Sequence, residues 1–191
     1  MRHSPSPAVA CSLADLPTEE RAAAPSSDGA QVIYLSGGQG TTSQNVFISQ
    51  RDQSGRWSPG RQLTTKGALS PRWSPDDKRI SYSRAGETMV LSLADGSERV
   101  VARRGPNGSI SFFAQWAPDA SALFVARIDL GTGQWTYWRV PLVGGAERLL
   151  LNAGTRKGRS ANATFATNGQ MIYVTFGGDE GDVWTVDLKT P

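Results

Sequence analysis

Few residues of this 191-residue chain are of the types that do chemistry, and they are badly placed for it. The one histidine is His3 and the one cysteine is Cys11, both in an irregular N-terminal stretch. Without another histidine, the folded part has no Ser-His-Asp triad, no histidine metal site and no histidine general base. Cys11 would need a neighbouring base to act as a nucleophile, and none accompanies it; one cysteine also makes neither an intrachain disulfide nor a metal cluster. No G-x-S-x-G elbow occurs. Ser36 to Thr42 (SGGQGTT) lacks the lysine of a phosphate-binding loop and leads into a strand pattern rather than a helix. The pattern reads as a protein that is not an enzyme and takes no cofactor.

Carboxylates recur singly, at Asp28, Asp76 and Asp119, with Asn168 continuing the series at intervals of 48, 43 and 49 residues. A calcium site needs several converging oxygens, so one Asp per interval suits a turn rather than a metal. Asp179, Glu180 and Asp182 are denser, but they fall in a loop and no metal is assigned to them. Asn162 opens an Asn-x-Thr triplet on an expected strand and is read as local sequence.

The series belongs to a repeated phrase: SSDGAQVIYLS from Ser26, SPDDKRISYSR from Ser74, APDASALFVAR from Ala117 and ATNGQMIYVTF from Ala166. Each copy is a polar turn followed by an apolar run of strand-forming residues. The Asp accepts hydrogen bonds from backbone N–H groups just beyond it, and Pro75 and Pro118 fix φ at the turn. A repeat of roughly 40–50 residues marks a radial or stacked β-architecture. Each unit reads as four short strands, A to D. In the second unit these are LSPRWS, RISYSR, TMVLSL and ERVVA; the third carries FFAQWA, ALFVAR, WTYWRVPL and ERLLL. Trp73, Trp116 and Phe165 recur at one place per unit, the position of a wedge between neighbouring sheets.

The expected fold is therefore all-β, a β-propeller-like array of four four-stranded antiparallel blades, with units near 25–68, 69–111, 112–160 and 161–191. Residues 1–24 read as a flexible leader, with a short helical start over Leu16 to Arg21. The first unit has a poor A strand at Arg21 to Pro25, and the fourth stops before a D strand. An incomplete ring, a piece or degenerate form of a larger one, is the expectation, with Ala8 to Leu13 the nearest segment to complete the last blade. Open sheet edges would then favour self-association.

The phrases PRWSPDDKRISYSR and NVFISQRDQSGRWSPGRQLT, with WRVPLVGGAERL and DVWTVDLKTP, resemble the WD-like propeller repeats of TolB and many bacterial envelope proteins. The resemblance covers residues 25–191. Ser27, Asp77 and Ala120 depart from the pattern's Pro, Gly and Gly, weakening individual turns. It implies a non-catalytic scaffold for protein–protein interaction, periplasmic or extracytoplasmic. No convincing signal peptide supports that location: Met1-Arg2-His3 is basic and Ala8 to Cys11 is lipoprotein-like, but Ser4-Pro5-Ser6-Pro7 breaks the apolar stretch a signal needs. Two rivals stand beside this reading. One is a propeller module detached from a peptidase or sensor-kinase catalytic domain. The other is a carbohydrate-binding propeller using Trp135 and Trp138.

Twenty basic against seventeen acidic residues leave a formal charge of +3, too little to indicate nucleic acid, and no apolar run approaches a membrane span. The distribution of charge is more informative. In a four-stranded meander the B–C and D–A loops emerge on one side and the A–B and C–D turns on the other. The first set carries Lys66, Arg84, Arg103, Arg104, Arg127, Arg156, Lys157 and Arg159, against Glu87, Asp129, Asp179, Glu180 and Asp182. These eight cations form the candidate binding face, suited to an acidic protein partner.

Overall fold

The computed structural model describes residues 20–37, 44–105, 108–155, 165–176 and 182–187. They hold fifteen strands in four antiparallel meanders and no α-helix. The first sheet is β1 (Glu20–Pro25), β2 (Gln31–Gly37), β3 (Gln44–Gln50) and β4 (Arg61–Gln62). The second is β5 (Leu69–Trp73), β6 (Arg79–Arg84), β7 (Glu87–Ser92) and β8 (Glu98–Ala102). The third is β9 (Ile110–Trp116), β10 (Ala122–Ile128), β11 (Gln134–Pro141) and β12 (Arg148–Thr155). The fourth has three strands, β13 (Phe165–Thr167), β14 (Met171–Phe176) and β15 (Asp182–Asp187), so the four-stranded pattern holds in three sheets of the four.

Alternation along each strand sends one set of side chains to the sheet before and the other to the sheet after. Ile80, Tyr82, Met89 and Leu91 pack on Ile33, Leu35, Val46 and Ile48 of the first sheet. Leu123, Val125 and Val140 of the third sheet meet Val90 and Ala102 of the second, while Phe124, Ala126, Trp135 and Tyr137 meet Phe165, Ile172 and Val174 of the fourth. Both faces of the central strands are thus buried, which explains their near-continuous apolar runs. The innermost strands contact one another in turn, β1 with β5, β5 with β9 and β9 with β13. Among the described residues no apolar cluster joins the fourth sheet to the first, and the array is not closed.

The recurrent tryptophan does more than fill space. The indole N–H of Trp73 donates to the carbonyl of Ala24 at 2.9 Å, and that of Trp116 to the carbonyl of Arg72 at 3.3 Å. Each A strand is thereby tied to the A strand before it. Where Phe165 replaces the indole, Gln115 supplies the tie, its amide donating to the Phe165 carbonyl at 3.1 Å.

Two expectations need correction. Glu20 to Ala24 are not leader and Glu20-Arg21 are not helical: they form β1, paired with Ser36 and Leu35 at its start. The A strand expected at Arg21 to Pro25 is therefore present, and its poor pattern reflects a bulge between Arg21 and Ala24, where Ala22 takes φ 53°. The same bulge recurs in β5, with Ser70 at φ 51°. A bulge inserts a residue and breaks the period-2 pattern by which strands are read. The third sheet likewise begins at Ile110, ahead of the expected boundary at 112.

Candidate binding cleft between the second and third sheets

The turn chemistry assigns one side of the molecule to structure. Asp28, Asp76 and Asp119 each accept a main-chain N–H two residues on, and Asn168 does the same from Gln170. A hydrogen bond from Ser26 holds the Asp28 carboxyl below the ordinary range, and one from Ser74 does so for Asp76. For Asp95 and Asp119 the leading cause is a main-chain N–H, from Ser97 and Ser121.

The three departures from the repeat pattern become intelligible here. Ser27 donates through its N–H to both Asp77 carboxylate oxygens, at 3.1 and 3.0 Å, and through its hydroxyl as well. Ala120 offers its carbonyl to Arg79 at 3.2 Å. Asp77 and Ala120 sit at φ 52° and 56°, the left-handed region that favours glycine, yet both link one turn to the next.

The opposite side carries the cleft. A cavity of about 350 Å³ opens between the second and third sheets, lined by Arg103, Arg104, Gly105 and Ser109 from the β8–β9 connection. The third sheet supplies Arg127, Asp129, Gln134, Thr136, Trp138 and Glu147. The meander puts the D–A loop of one sheet beside the B–C loop of the next, so residues distant in sequence meet here.

Of the eight candidate cations, the structure brings Arg103, Arg104 and Arg127 together in this cleft. Arg84 and Lys66 belong to the preceding interface, and Arg156, Lys157 and Arg159 lie outside the described residues. So do His3, Cys11, Asn162, Asp179 and Glu180. The three cleft arginines are not equivalent. Arg103 has a side chain 81% exposed, 4.0 Å from Glu87, and Arg104 donates from Nε to the Ala85 carbonyl at 2.7 Å. Arg127 is 6% exposed and makes a two-pronged pair with Glu147, at 2.7 and 2.9 Å. Its guanidinium also lies over the Trp138 ring, 5.3 Å from the centroid, and the Trp138 indole donates to the Thr136 hydroxyl at 2.9 Å.

Arg84 repeats this arrangement one sheet earlier. It meets Glu98 at 2.8 Å and lies over the Tyr82 ring, whose hydroxyl donates to Glu98 at 2.7 Å. Burial raises the Glu98 pKa, but hydrogen bonds from Tyr82 and Arg84, then the charges of Arg84 and Lys66, more than offset it and hold the carboxyl below its ordinary range. Two of the eight cations are therefore neutralised inside the fold. Sequence reasoning passed over Glu98 and Glu147, although both D strands announce themselves with the same Glu-Arg pair.

Trp135, the other candidate for sugar stacking, is buried against Phe112 and the third-to-fourth interface rather than available on the surface. Among the described residues no group of three or more His, Cys, Asp or Glu is placed to hold a metal ion. Nor is any helix there long and apolar enough to cross a membrane.

Comparison with solved structures assigns the fold to the β-propellers. An oligogalacturonate lyase in complex with manganese superposes with a TM-score of 0.62 at 17% identity, over 84% of this chain and 47% of that one. Dipeptidyl peptidase 4 of Porphyromonas gingivalis gives 0.62 at 14% identity, over 92% and 32%. The β-propeller domain of the trilobed protease from Pyrococcus furiosus, which has an open velcro topology, gives 0.58 at 15% identity, over 89% and 55%. The chain thus spans about a third to just over half the length of these structures. No protein-family model and no curated protein matches it.

Proposed function

We propose that the chain is a non-catalytic β-propeller scaffold that docks an acidic protein partner on the side where the B–C and D–A loops emerge. The observation that carries this reading is the position of Arg103 and Arg104. Both line the cleft, and the Arg103 side chain is 81% exposed and no nearer than 4.0 Å to Glu87. Lys66 lies on the same side, whereas the turns of the opposite side hold Asp28, Asp52, Asp76, Asp77, Asp95 and Asp119 against Arg51, Arg56 and Lys78, an excess of acid there. Such polarity steers an acidic partner to one side. The resemblance to TolB-type repeats supports a periplasmic or extracytoplasmic setting in a bacterial envelope.

Immobilised poly-L-glutamate serves as a stand-in for the acidic partner. Retention is expected to fall with added salt and to be lost in a Lys66→Glu/Arg103→Glu/Arg104→Glu variant that keeps the native melting profile. Retention unchanged by that triple reversal sinks the reading. A second reading, a propeller module working beside a peptidase, is favoured by the structural likeness to peptidase propellers. A hydrolase reading frame adjoining or continuous with this one would support it.

A further inference from the structure

The turn between β6 and β7 is gripped from both sides by the connection that leads into the third sheet. Arg104 donates from Nε to the Ala85 carbonyl at 2.7 Å, and the Ser111 N–H donates to the Gly86 carbonyl at 2.8 Å. A Cβ on Gly86 would stand 2.7 Å from Ile110 Cγ2 and 3.1 Å from Arg104 Nε, so glycine is what lets both sit against this turn. The bond through Nε fixes the plane of the Arg104 guanidinium. The residue is exposed, and its two terminal nitrogens meet no carboxylate among the described residues. Arg103 and Arg127, by contrast, face Glu87 and Glu147. Asp129, the remaining acid of the cleft, is turned to its own loop, accepting the N–H groups of Gly131 and Thr132.

Phe112 follows at once, 41% exposed although its ring packs edge-on against Phe113 and Trp135, at centroid distances of 5.1 and 5.9 Å. Leu130, also exposed, lies in the β10–β11 loop at the same end of the third sheet. An aromatic ring already held by two others, like a guanidinium already held through Nε, loses little freedom when a partner covers it.

We infer, resting on the docking reading above, that the acidic partner enters this corner as an extended segment with a carboxylate two residues from an aromatic side chain. Arg104 takes the carboxylate in a two-pronged fork, a geometry that lysine cannot reproduce. Phe112 takes the ring. Arginine and aromatic anchors of this kind carry most of the energy of an interface. Arg104 stands beside Ile110, and Phe112 lies two positions further along β9, about 7 Å away. Alternate side chains of an extended segment are spaced by the same step, which sets the interval between carboxylate and ring.

The test titrates the capped peptide Glu-Gly-Phe-Gly-Glu into the full chain and reads the heat. Its carboxylates stand two residues from the ring on either side, so either direction of entry is served. Saturable binding is expected with Kd on the order of 1 mM. Glu-Gly-Ala-Gly-Glu and Gln-Gly-Phe-Gly-Gln each lack one anchor and should bind at least about tenfold more weakly. Arg104→Lys keeps the charge but loses the fork, and should weaken the phenylalanine peptide about fivefold. Phe112→Ser should reduce that peptide to the level of the alanine one. The peptide series on the unaltered chain needs no variant to fold, so it decides even where Phe112→Ser lowers the melt. Equal binding of the alanine peptide, binding indifferent to Arg104→Lys, or no saturable response overturns the inference. Poly-glutamate has no apolar side chain, so its retention reports on the docking reading alone. Retention without any preference for the phenylalanine peptide would sink this corner and leave that reading standing.

Discussion

Asp77 shows how a residue that looks wrong for its local turn is right for its neighbour. The repeat pattern wants glycine there, because the residue sits at φ 52°. A left-handed non-glycine residue costs roughly 1–2 kcal/mol. Asp77 tolerates this cost and in return accepts the Ser27 N–H and hydroxyl from the preceding turn. Asp77→Ala keeps the strained backbone and removes the acceptor, so it should lower unfolding stability by about 1–2 kcal/mol. Asp77→Gly should recover about 1 kcal/mol of that loss. Adding Ser27→Ala to the alanine variant should cost little more, since its partner is already gone. Urea denaturation of these proteins and of the Ser27→Ala single variant checks the ranking, and an additive Ser27→Ala effect would show that the two residues act independently.

Among the elements, the turns carry most of the ionisable chemistry. Asp28, Asp52, Asp76, Asp95, Asp119 and Asp129 are all held below the ordinary carboxylate value of 3.8 by hydrogen bonds from their own turns. A carboxyl with a depressed folded pKa binds protons more weakly folded than unfolded. Its contribution is therefore complete above the unfolded value and is lost as pH falls through the folded one. The protein should keep a level melting temperature from neutral pH to about pH 5 and then lose stability progressively on further acidification. Asp76→Asn/Asp95→Asn/Asp119→Asn retains an acceptor oxygen at each turn while removing the titration. Melts between pH 7 and pH 3 should show a shallower decline in this variant; an identical decline would place the acid sensitivity elsewhere.

At the scale of the molecule, the strand array is directional. Each sheet presents one face to the sheet before and one to the sheet after, and the described residues leave the fourth sheet with β15 as an edge strand. An unpaired edge is a template for another strand. Light scattering coupled to size-exclusion chromatography is expected to find concentration-dependent association of the chain. A monomer at every concentration would mean that the edge is covered within one copy.

The repeat was legible because its causes are local. An Asp accepting nearby main-chain N–H groups, a proline fixing φ and alternating apolar residues act within a few positions, so the turns and most strands can be read directly. β1 reads only as a poor strand at Arg21 to Pro25, because an inserted residue at Ala22 breaks the alternation that identifies a strand. Loop topology puts Arg103 and Arg104 on the same side as Arg127, but it assigns no neighbours to a charge. Arg84 and Glu98 are 14 residues apart, and Arg127 and Glu147 are 20 apart, with a whole strand between each pair. Whether such charges meet depends on strand register and on packing against the next sheet, neither of which is written in local sequence. The amino-acid order alone determined the repeated turn, its period and the β-architecture they require. Only the tertiary structure decided which cations are cancelled and which remain open at the cleft, because those outcomes come from contacts between strands and sheets.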